Sequence, residues 1–465
     1  DMMTGYQAIY QRYKQQILAG NLKPGEKVPA IRVLAADLGV AKKTVETAYN
    51  ILIGEGYLVS RGARGTVVNP DLKVKPDARK TENKVDDHKL QQLIDLRDNP
   101  GLFRLGIPAL DEFPYKKWLL LSGKDIRAMR PAHMLTPPVM GYAPLREAIA
   151  NYVNISRGLN CSASQVCITS GYKHSLALIL QALATRHDKV VYEDPGYFFG
   201  QKLLKRIAEN LHYVPVDSQG LNVDYLLNYQ RDARFVITTP AHHSPLAVTL
   251  SLPRRQQLLQ WAQEQQAWIV EDDYDGEFHY TKKVLPALKS QDSADRVIYV
   301  GTFSKTIMPA MRISYIVLPK ALINRFHETA EIVETSLPLL PQQILSRFIA
   351  EGHFFKHLKK MRTLYQARRQ MVLNALHSVY PTQFYVELTD GGMHIVAFLK
   401  TGNQDEQLAA IWQQHQLLVF PLSAWYAGKT KRYGLVIGYT NIQSEQQATE
   451  ALRLPYDQTL EILGR

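Results

Sequence analysis

Cysteine is almost absent from this sequence of 465 residues, which has only Cys161 and Cys167. Two thiols cannot build a disulfide framework or a cysteine-rich metal site, and their scarcity points to a reducing, cytoplasmic setting. Also missing is any apolar run near the ~18 residues that a membrane-spanning helix needs. The opening Asp1-Met2-Met3-Thr4-Gly5-Tyr6 lacks the basic region and apolar stretch of a secretion signal. Acidic residues are in deficit, with 43 Asp and Glu against 55 Lys and Arg, a net +12. What is plentiful is apolar material. It makes up 46% of the chain against 21% charged, enough for sizeable cores and too much for a disordered polymer. At roughly 100–200 residues per domain, the length predicts two to four domains.

The positive charge is uneven. Residues 1–70 carry nine Lys/Arg and five Asp/Glu, which makes them about three times as basic per residue as the rest and invites a nucleic-acid reading. Within them, Ile9, Tyr13, Ile17 and Leu18 fall at helical spacing over Tyr6 to Ala19, and Gly20-Asn21 stop the helix. The pattern predicts a second helix over Ile31–Leu38, ended by Gly39, and a third from about Lys42 to Glu55, with Val45, Ala48, Tyr49 and Leu52 on one face. Two short β-prone stretches around Arg61-Gly62-Ala63-Arg64-Gly65 then predict a hairpin.

From Asp71 to about Gln92, Lys73, Lys75, Asp77, Arg79, Lys80, Glu82 and their neighbours leave little to bury, so residues 71–92 read as a solvated linker. Beyond it, apolar runs of β type (166–169, 190–192, 234–238, 268–270 and 297–300) alternate with helical segments (173–184, 198–209 and 253–266). Strands buried on both faces and alternating with helices predict an α/β domain over 93–465 with a mostly parallel sheet. Longer helices over 340–376 and a further β-containing stretch predict a smaller C-terminal α+β subdomain from about 330.

Three helices followed by a hairpin is the winged helix-turn-helix plan. The run Pro29-Ala30-Ile31-Arg32-Val33-Leu34-Ala35, then Leu38-Gly39-Val40-Ala41-Lys42-Lys43-Thr44-Val45, and Gly56-Tyr57-Leu58 resembles the GntR-type DNA-binding domain. The resemblance implies that Arg32, Lys42, Lys43, Thr44, Arg61, Arg64 and Gly65 face double-stranded operator DNA. Lys42, Lys43 and Thr44 open the recognition helix, and the others lie on helix two or the wing. The family usually has Ser-Arg where this chain has Ala41-Lys42. Lysine is a poorer bidentate reader of guanine than arginine, so base preference there is expected to differ.

The densest chemistry lies farther on. Gly301-Thr302-Phe303-Ser304-Lys305, followed by Pro309 and Arg312, resembles the coenzyme-lysine motif of fold-type I pyridoxal 5′-phosphate (PLP) enzymes. It implies Lys305 as the Schiff-base lysine, with Thr302, Ser304 and Arg312 on the phosphate. Glu271-Asp272-Asp273-Tyr274-Asp275 upstream implies Asp272 on the pyridine nitrogen, with Asp273 as the alternative, and Tyr274 on the phenolic oxygen. The turn Gly171-Tyr172-Lys173 offers backbone N–H groups to the phosphate, and Tyr197 offers an aromatic face to the ring.

A GntR-type reader joined to such a domain resembles the MocR/GabR family of transcriptional regulators. That family implies a homodimer with an aminotransferase-like sensor, each DNA-binding domain packing on the partner chain, and an effector that is PLP or an amine. Ser244 stands where aminotransferases have an Asn on the phenolic oxygen, leaving His242 or His243 as candidate contributors. Phe199 stands where the GABA-responsive member has a carboxylate-binding arginine, which leaves PLP itself as the simplest signal and vitamin B6 homeostasis as the setting. By position, Arg432 is the candidate for an α-carboxylate. Two other readings follow from the same residues. One is a working aminotransferase that carries a DNA-binding domain. The other is a PLP-independent repressor that uses the large domain only to dimerise. No metal site is expected.

Overall fold

The computed structural model describes residues 5–73, 101–281 and 285–464. The chain divides into two compact units, Asp1–Asp95 and Leu96–Arg465. The expected linker, 71–92, lies outside the described residues from 74 onward.

The first unit contains helices α1 (Gly5–Leu18), α2 (Ile31–Leu38) and α3 (Lys42–Gly54), then strands β1 (Leu58–Ser60) and β2 (Thr66–Val68). Ile9, Tyr13 and Ile17 recur every four residues on α1. They pack with Leu34, Val45, Ala48, Tyr49, Leu52, Leu58 and Val68 in one core. The Tyr49 hydroxyl donates to the Pro29 carbonyl at 2.7 Å, tying α3 to the entry of α2. Gly39 ends α2 at φ 64°, a left-handed cap that lets α3 begin three residues later. β1 and β2 pair antiparallel, Leu58 opposite Val68, and residues 61–65 cross between them as the wing.

The second unit is built on an eight-stranded sheet. Its strands are β3 (Val166–Thr169), β4 (Lys189–Asp194), β5 (Asn210–Asp217), β6 (Gly220–Leu221), β7 (Phe235–Thr238), β8 (Trp268–Asp272), β9 (Val297–Thr302) and β10 (Ser314–Val317). In space they run β3-β10-β9-β8-β7-β4-β5-β6. Neighbours from β9 to β5 are parallel. Alternate residues face opposite layers. Val190, Ile237, Val270 and Ile298 join one core, while Val191, Val236, Ile269 and Val297 join another. Helices Tyr172–Leu183 and Leu252–Gln265 bury their apolar faces in these two cores respectively. Strand β10, absent from the expected strands, lies antiparallel between β3 and β9. The segment returning from β9 to β10, residues 303–313, is too short for a crossover and forms a hairpin-like connection.

Beyond the long helix His353–Val379 comes a second, four-stranded sheet of β11 (Phe384–Tyr385), β12 (His394–Leu399), β13 (Phe420–Pro421) and β14 (Gly434–Gly438). It is ordered β11-β12-β14-β13 and wholly antiparallel. Its inner residues Ile395, Ala397, Leu435 and Ile437 share a core with Leu376 and Trp412. Among the described residues no helix is long and apolar enough to cross a membrane.

Leu52 is fully buried at the centre of the first unit. Leu52→Ala should cost about 2–5 kcal/mol there. In a denaturant titration of the full chain, this would read as an early unfolding step that the wild type lacks.

Candidate functional site

The carboxyl ends of β3, β4, β7, β8 and β9 lie along one edge of the sheet, where open α/β sheets place their ligand crevices. β10 runs the other way, so its start, just after Arg312, shares this edge. A cavity of about 200 Å³ opens here. Of the residues singled out in the sequence, Gly171, Tyr172, Lys173, Tyr197, Ser244, Asp272, Tyr274, Thr302, Ser304, Lys305 and Arg312 line it. They come from five separate stretches of chain.

Lys305 follows β9, and its Nζ reaches the Gly106 carbonyl at 3.2 Å. Burial lowers its pKa, opposed by the charges of Asp275 and Asp272 and assisted by Arg104. A buried amine shifted this way keeps more of its uncharged, nucleophilic form. Gly106 forms a close roof. At φ 70°, a Cβ there would stand 2.0 Å from the Lys305 Nζ.

Gly171, at φ 138°, begins the turn after β3, and a Cβ on it would lie 2.5 Å from Arg312 Nη2. Glycine is therefore needed for the guanidinium to rest against this turn. The helix that starts at Tyr172 has no acidic residue in its first turn and no side-chain cap, so its first N–H groups remain available to an anion. Arg312 itself holds φ 54°, a strained conformation for a non-glycine residue and one that gathers at functional sites. The Thr302 hydroxyl accepts from the Ser304 N–H at 3.1 Å and from the Ser314 hydroxyl at 2.8 Å. That fixes the turn between lysine and strand.

β8 sorts its acids by alternation. Asp272 faces the cavity. Burial, reinforced by the charges of Asp273, Glu193 and Asp275, holds its carboxyl well above the ordinary range. Asp273 points away, with Arg157 Nε 2.7 Å from its Oδ2 and the Tyr299 hydroxyl on the same oxygen. The alternative assignment of Asp273 to the cavity is therefore corrected, since its charge is already matched on the other side of the strand. The Tyr274 hydroxyl is buried without a hydrogen-bond partner among the described residues. Tyr197 packs against Tyr172 and Trp425, at centroid distances of 5.8 and 5.9 Å.

Two further assignments are corrected. His243 does not line the cavity. It is fully buried, and burial pushes its pKa down to about 4. As a neutral ring it pairs Nε2 with the Pro195 carbonyl at 2.7 Å and accepts the Leu246 N–H on Nδ1. This pins the turn carrying Tyr197 and makes His243 structural. Arg432 is spent on the small sheet, with Nη2 2.7 Å from Glu387 Oε1 and its guanidinium 3.9 Å over the Phe398 ring. His242 is also outside, its Nδ1 2.8 Å from Asp275 Oδ1.

Val300, Gly301 and Pro309 of the lysine stretch also line it, and Leu105, Gly106, Met393, His394 and Trp425, not singled out in the sequence, complete the wall. A glycine between apolar residues, followed by Pro108, is a usable sign of close backbone approach. Met393, His394 and Trp425 arrive by tertiary folding and carry no local sign.

In the first unit, Arg32, Lys42, Lys43, Arg61 and Arg64 are exposed, and Thr44 is half-buried. Gly65 holds φ 90° at the end of the wing. α2 and α3 both start from an alanine with no side-chain cap and no acid in the first turn. Lys43 has one weak ion pair, with Glu46 at 3.5 Å.

Residues 105–436 match the family described as aminotransferase class I and II, and residues 5–68 match bacterial regulatory proteins of the gntR family. The "Probable rhizopine catabolism regulatory protein MocR" of Rhizobium meliloti is 32% identical over 94% of this chain and 90% of its own. YdeL of Bacillus subtilis, an HTH-type transcriptional regulator, is 31% identical over 96% and 95%. The chain belongs to the MocR/GabR family of GntR-type regulators.

Another relative of this MocR-type chain is the pyridoxine biosynthesis transcriptional regulator PdxR of Corynebacterium glutamicum, 28% identical over 93% of this chain and 91% of its own. Among solved structures, the kynurenine aminotransferase of Pyrococcus horikoshii superposes with a TM-score of 0.72. It covers 81% of this chain and 95% of its own at 24% identity, a likeness of fold. The MocR-type chain thus pairs a GntR reader with an aminotransferase fold, a fold family that depends on PLP.

Asp273→Asn should destabilise the second unit by about 3–5 kcal/mol, because it strands the Arg157 charge. Asp272→Asn should leave the denaturation midpoint near that of the wild type. A second expectation concerns pH. Burial lifts Glu193 from 4.5 to about 7, even though three groups on Thr238 and Thr239 donate to it. Through that window the native state holds a proton that the unfolded chain has released, so this group's contribution falls as pH rises from about 4.5 to 7. Glu193→Gln should flatten that part of the slope, measured as the wild-type-minus-variant unfolding free energy across the window.

Proposed function

We propose that this chain is a PLP-sensing transcriptional regulator that binds operator DNA through its first unit and PLP through its second. The observation that carries the reading is Lys305. A buried, pKa-lowered amine sits in one cavity with a carboxyl, Asp272, and a guanidinium, Arg312, in a chain that also carries a GntR reader.

The residues fit the coenzyme. Gly106 and Gly171 leave space that a Cβ would fill, and the Tyr274 hydroxyl is a buried donor without a partner among the described residues. When bound, PLP supplies an aldehyde carbon that an amine can attack and an electron-withdrawing ring. Lys305 provides the amine. Asp272 would hold the ring nitrogen, and its raised carboxyl ionises most readily when a cationic partner arrives. The Tyr274 hydroxyl would donate to the phenolic oxygen, while Tyr197 would cover the ring. Gly171, Tyr172, Lys173, Thr302, Ser304 and Arg312 would hold the phosphate, combining helix N-terminal N–H groups with positive charge.

Regulation is favoured over turnover by two observations. Ser244 occupies the place of the aminotransferase Asn, and Arg312, on the phosphate side, is the one guanidinium on the wall among the described residues. The PLP-independent repressor reading would leave this fitted cavity without a purpose. PLP is the proposed signal and control of vitamin B6 supply the proposed setting, in line with the name of the relative PdxR. The regulator acts as a cytoplasmic homodimer, the usual assembly of its fold. On DNA, Lys42, Lys43 and Thr44 enter the major groove, while Arg32, Arg61 and Arg64 reach phosphate or the minor groove.

The decisive measurement is an operator titration at fixed salt with and without PLP. PLP should change wild-type affinity and leave Lys305→Ala unchanged. An equal response from both proteins, or none from wild type, would refute the reading. Arg61→Ala with Arg64→Ala should weaken binding across sequences and reduce the log–log salt slope by about 2, one for each phosphate no longer neutralised.

A further inference from the structure

The recognition helix α3 carries one acid, Glu46, behind a basic start. Val45, Ala48, Tyr49 and Leu52 form its buried side. At about 100° per residue, Lys42, Lys43 and Glu46 fall together on one flank of that stripe, with Glu46 between the two lysines in angle. Glu46 follows Lys43 by three residues and Lys42 by four, the spacings at which helix side chains meet. Side chains lean toward the helix start, so its carboxylate reaches back over the turn that the lysines occupy.

The Lys43 Nζ lies 3.5 Å from Glu46 Oε2, with the two side chains 81% and 44% exposed. Other acids of this unit are held more firmly. Glu26 accepts the Lys23 N–H at 2.8 Å, and Glu55 accepts the Tyr10 hydroxyl at 2.7 Å. Among the described residues Glu46 has this loose pair alone.

An acid in this place works against general DNA affinity, because it meets the phosphate field with the wrong sign. Base reading gives it a use. A carboxylate only accepts hydrogen bonds. In the major groove guanine shows acceptors alone, and adenine sets its N7 acceptor beside its N6 donor. Cytosine offers the N4 donor with no acceptor of its own beside it. The guanine paired with that cytosine presents O6, an acceptor for a lysine. Guanine O6 and cytosine N4 are hydrogen-bonded to each other, so they stand roughly 2.9 Å apart. An ammonium and a carboxylate 3.5 Å apart match that edge in spacing and in sign.

We propose that Lys43 and Glu46 together read one G·C pair, Lys43 on guanine O6 and Glu46 on cytosine N4. The inference rests on the DNA-binding reading of the first unit.

The test selects binding sites from random duplexes with the full-length wild type, Glu46→Gln and Glu46→Ala. Wild type should fix a G·C pair at one position of each half-site. Glu46→Ala should keep the rest of the consensus, lose the preference there, and bind unrelated DNA as tightly as wild type or more so. Glu46→Gln should turn that position toward adenine, whose N6 and N7 an amide pairs with. A second arm places N4-methylcytosine at the selected position, which blocks the groove-facing hydrogen. The methyl group should weaken wild type about tenfold and Glu46→Ala by less than about twofold. The proposal is overturned if all three proteins select the same base there, if the position that Glu46→Ala relaxes is not G·C, or if methylation weakens wild type and Glu46→Ala alike. Should wild type prefer no sequence over random DNA, the operator reading itself falls and takes this proposal with it.

Discussion

Strand β8 ends in Glu271 and Asp272 and Asp273 follows at once, so three consecutive buried carboxyls close it. Like charges so close in a medium of low polarity cannot all ionise without individual compensation. The chain gives each a different answer. Glu271 accepts two backbone N–H groups, Asp273 takes Arg157 and Tyr299, and Asp272 alone is left facing open space. Just downstream, Asp275 pairs with His242, and Glu277 accepts the Tyr152 hydroxyl at 2.8 Å. The cavity keeps its acid because the others are occupied. Removing any one partner would redistribute charge over the whole strand end.

The same economy places the lysine. The β9–β10 connection is a hairpin in an otherwise parallel core. It returns to the sheet edge it left and so presents both Lys305 and Arg312 there. A helical crossover would have carried the second of these to the opposite edge. The strained φ of Arg312 is the local cost of aiming a guanidinium back across the turn. A ligand gripped by both residues therefore bridges the two arms of one hairpin as well as the strand ends around it. Such a ligand can shift a regulator only through its differential affinity for two arrangements, and a hairpin is a compact element on which to register that difference.

Much of this was legible in the sequence. The periodicity over Tyr6–Ala19 and the glycines at 20 and 39 bounded the reader's helices to within a residue or two. The apolar runs marked five of the sheet's strands. Lys305, Arg312, Asp272 and Tyr274 stood out because their motifs pack several functional groups into short stretches. Partners far along the chain were not legible. Nothing near Arg432 announces that Glu387 and Phe398 hold it. Nothing near His243 announces the Pro195 carbonyl 48 residues away. β10 was missed because Ser314–Val317 is four residues long and follows the lysine hairpin directly. Met393, His394 and Trp425 reach the cavity from the small sheet, a relation that exists only after folding.

The bare starts of α2 and α3 carry a consequence of their own. A helix opening usually gains from an oxygen-bearing cap and nearby acid, and these two have alanine, arginine and lysine instead. The free reader therefore leaves these helix starts to water and salt, and a polyanion would complement them. A serine or aspartate that made these helices more stable in isolation would spend the same N–H groups and field on the protein itself. Stability and grip on DNA draw on one reservoir in this unit, so a stabilised reader is expected to be a weaker one.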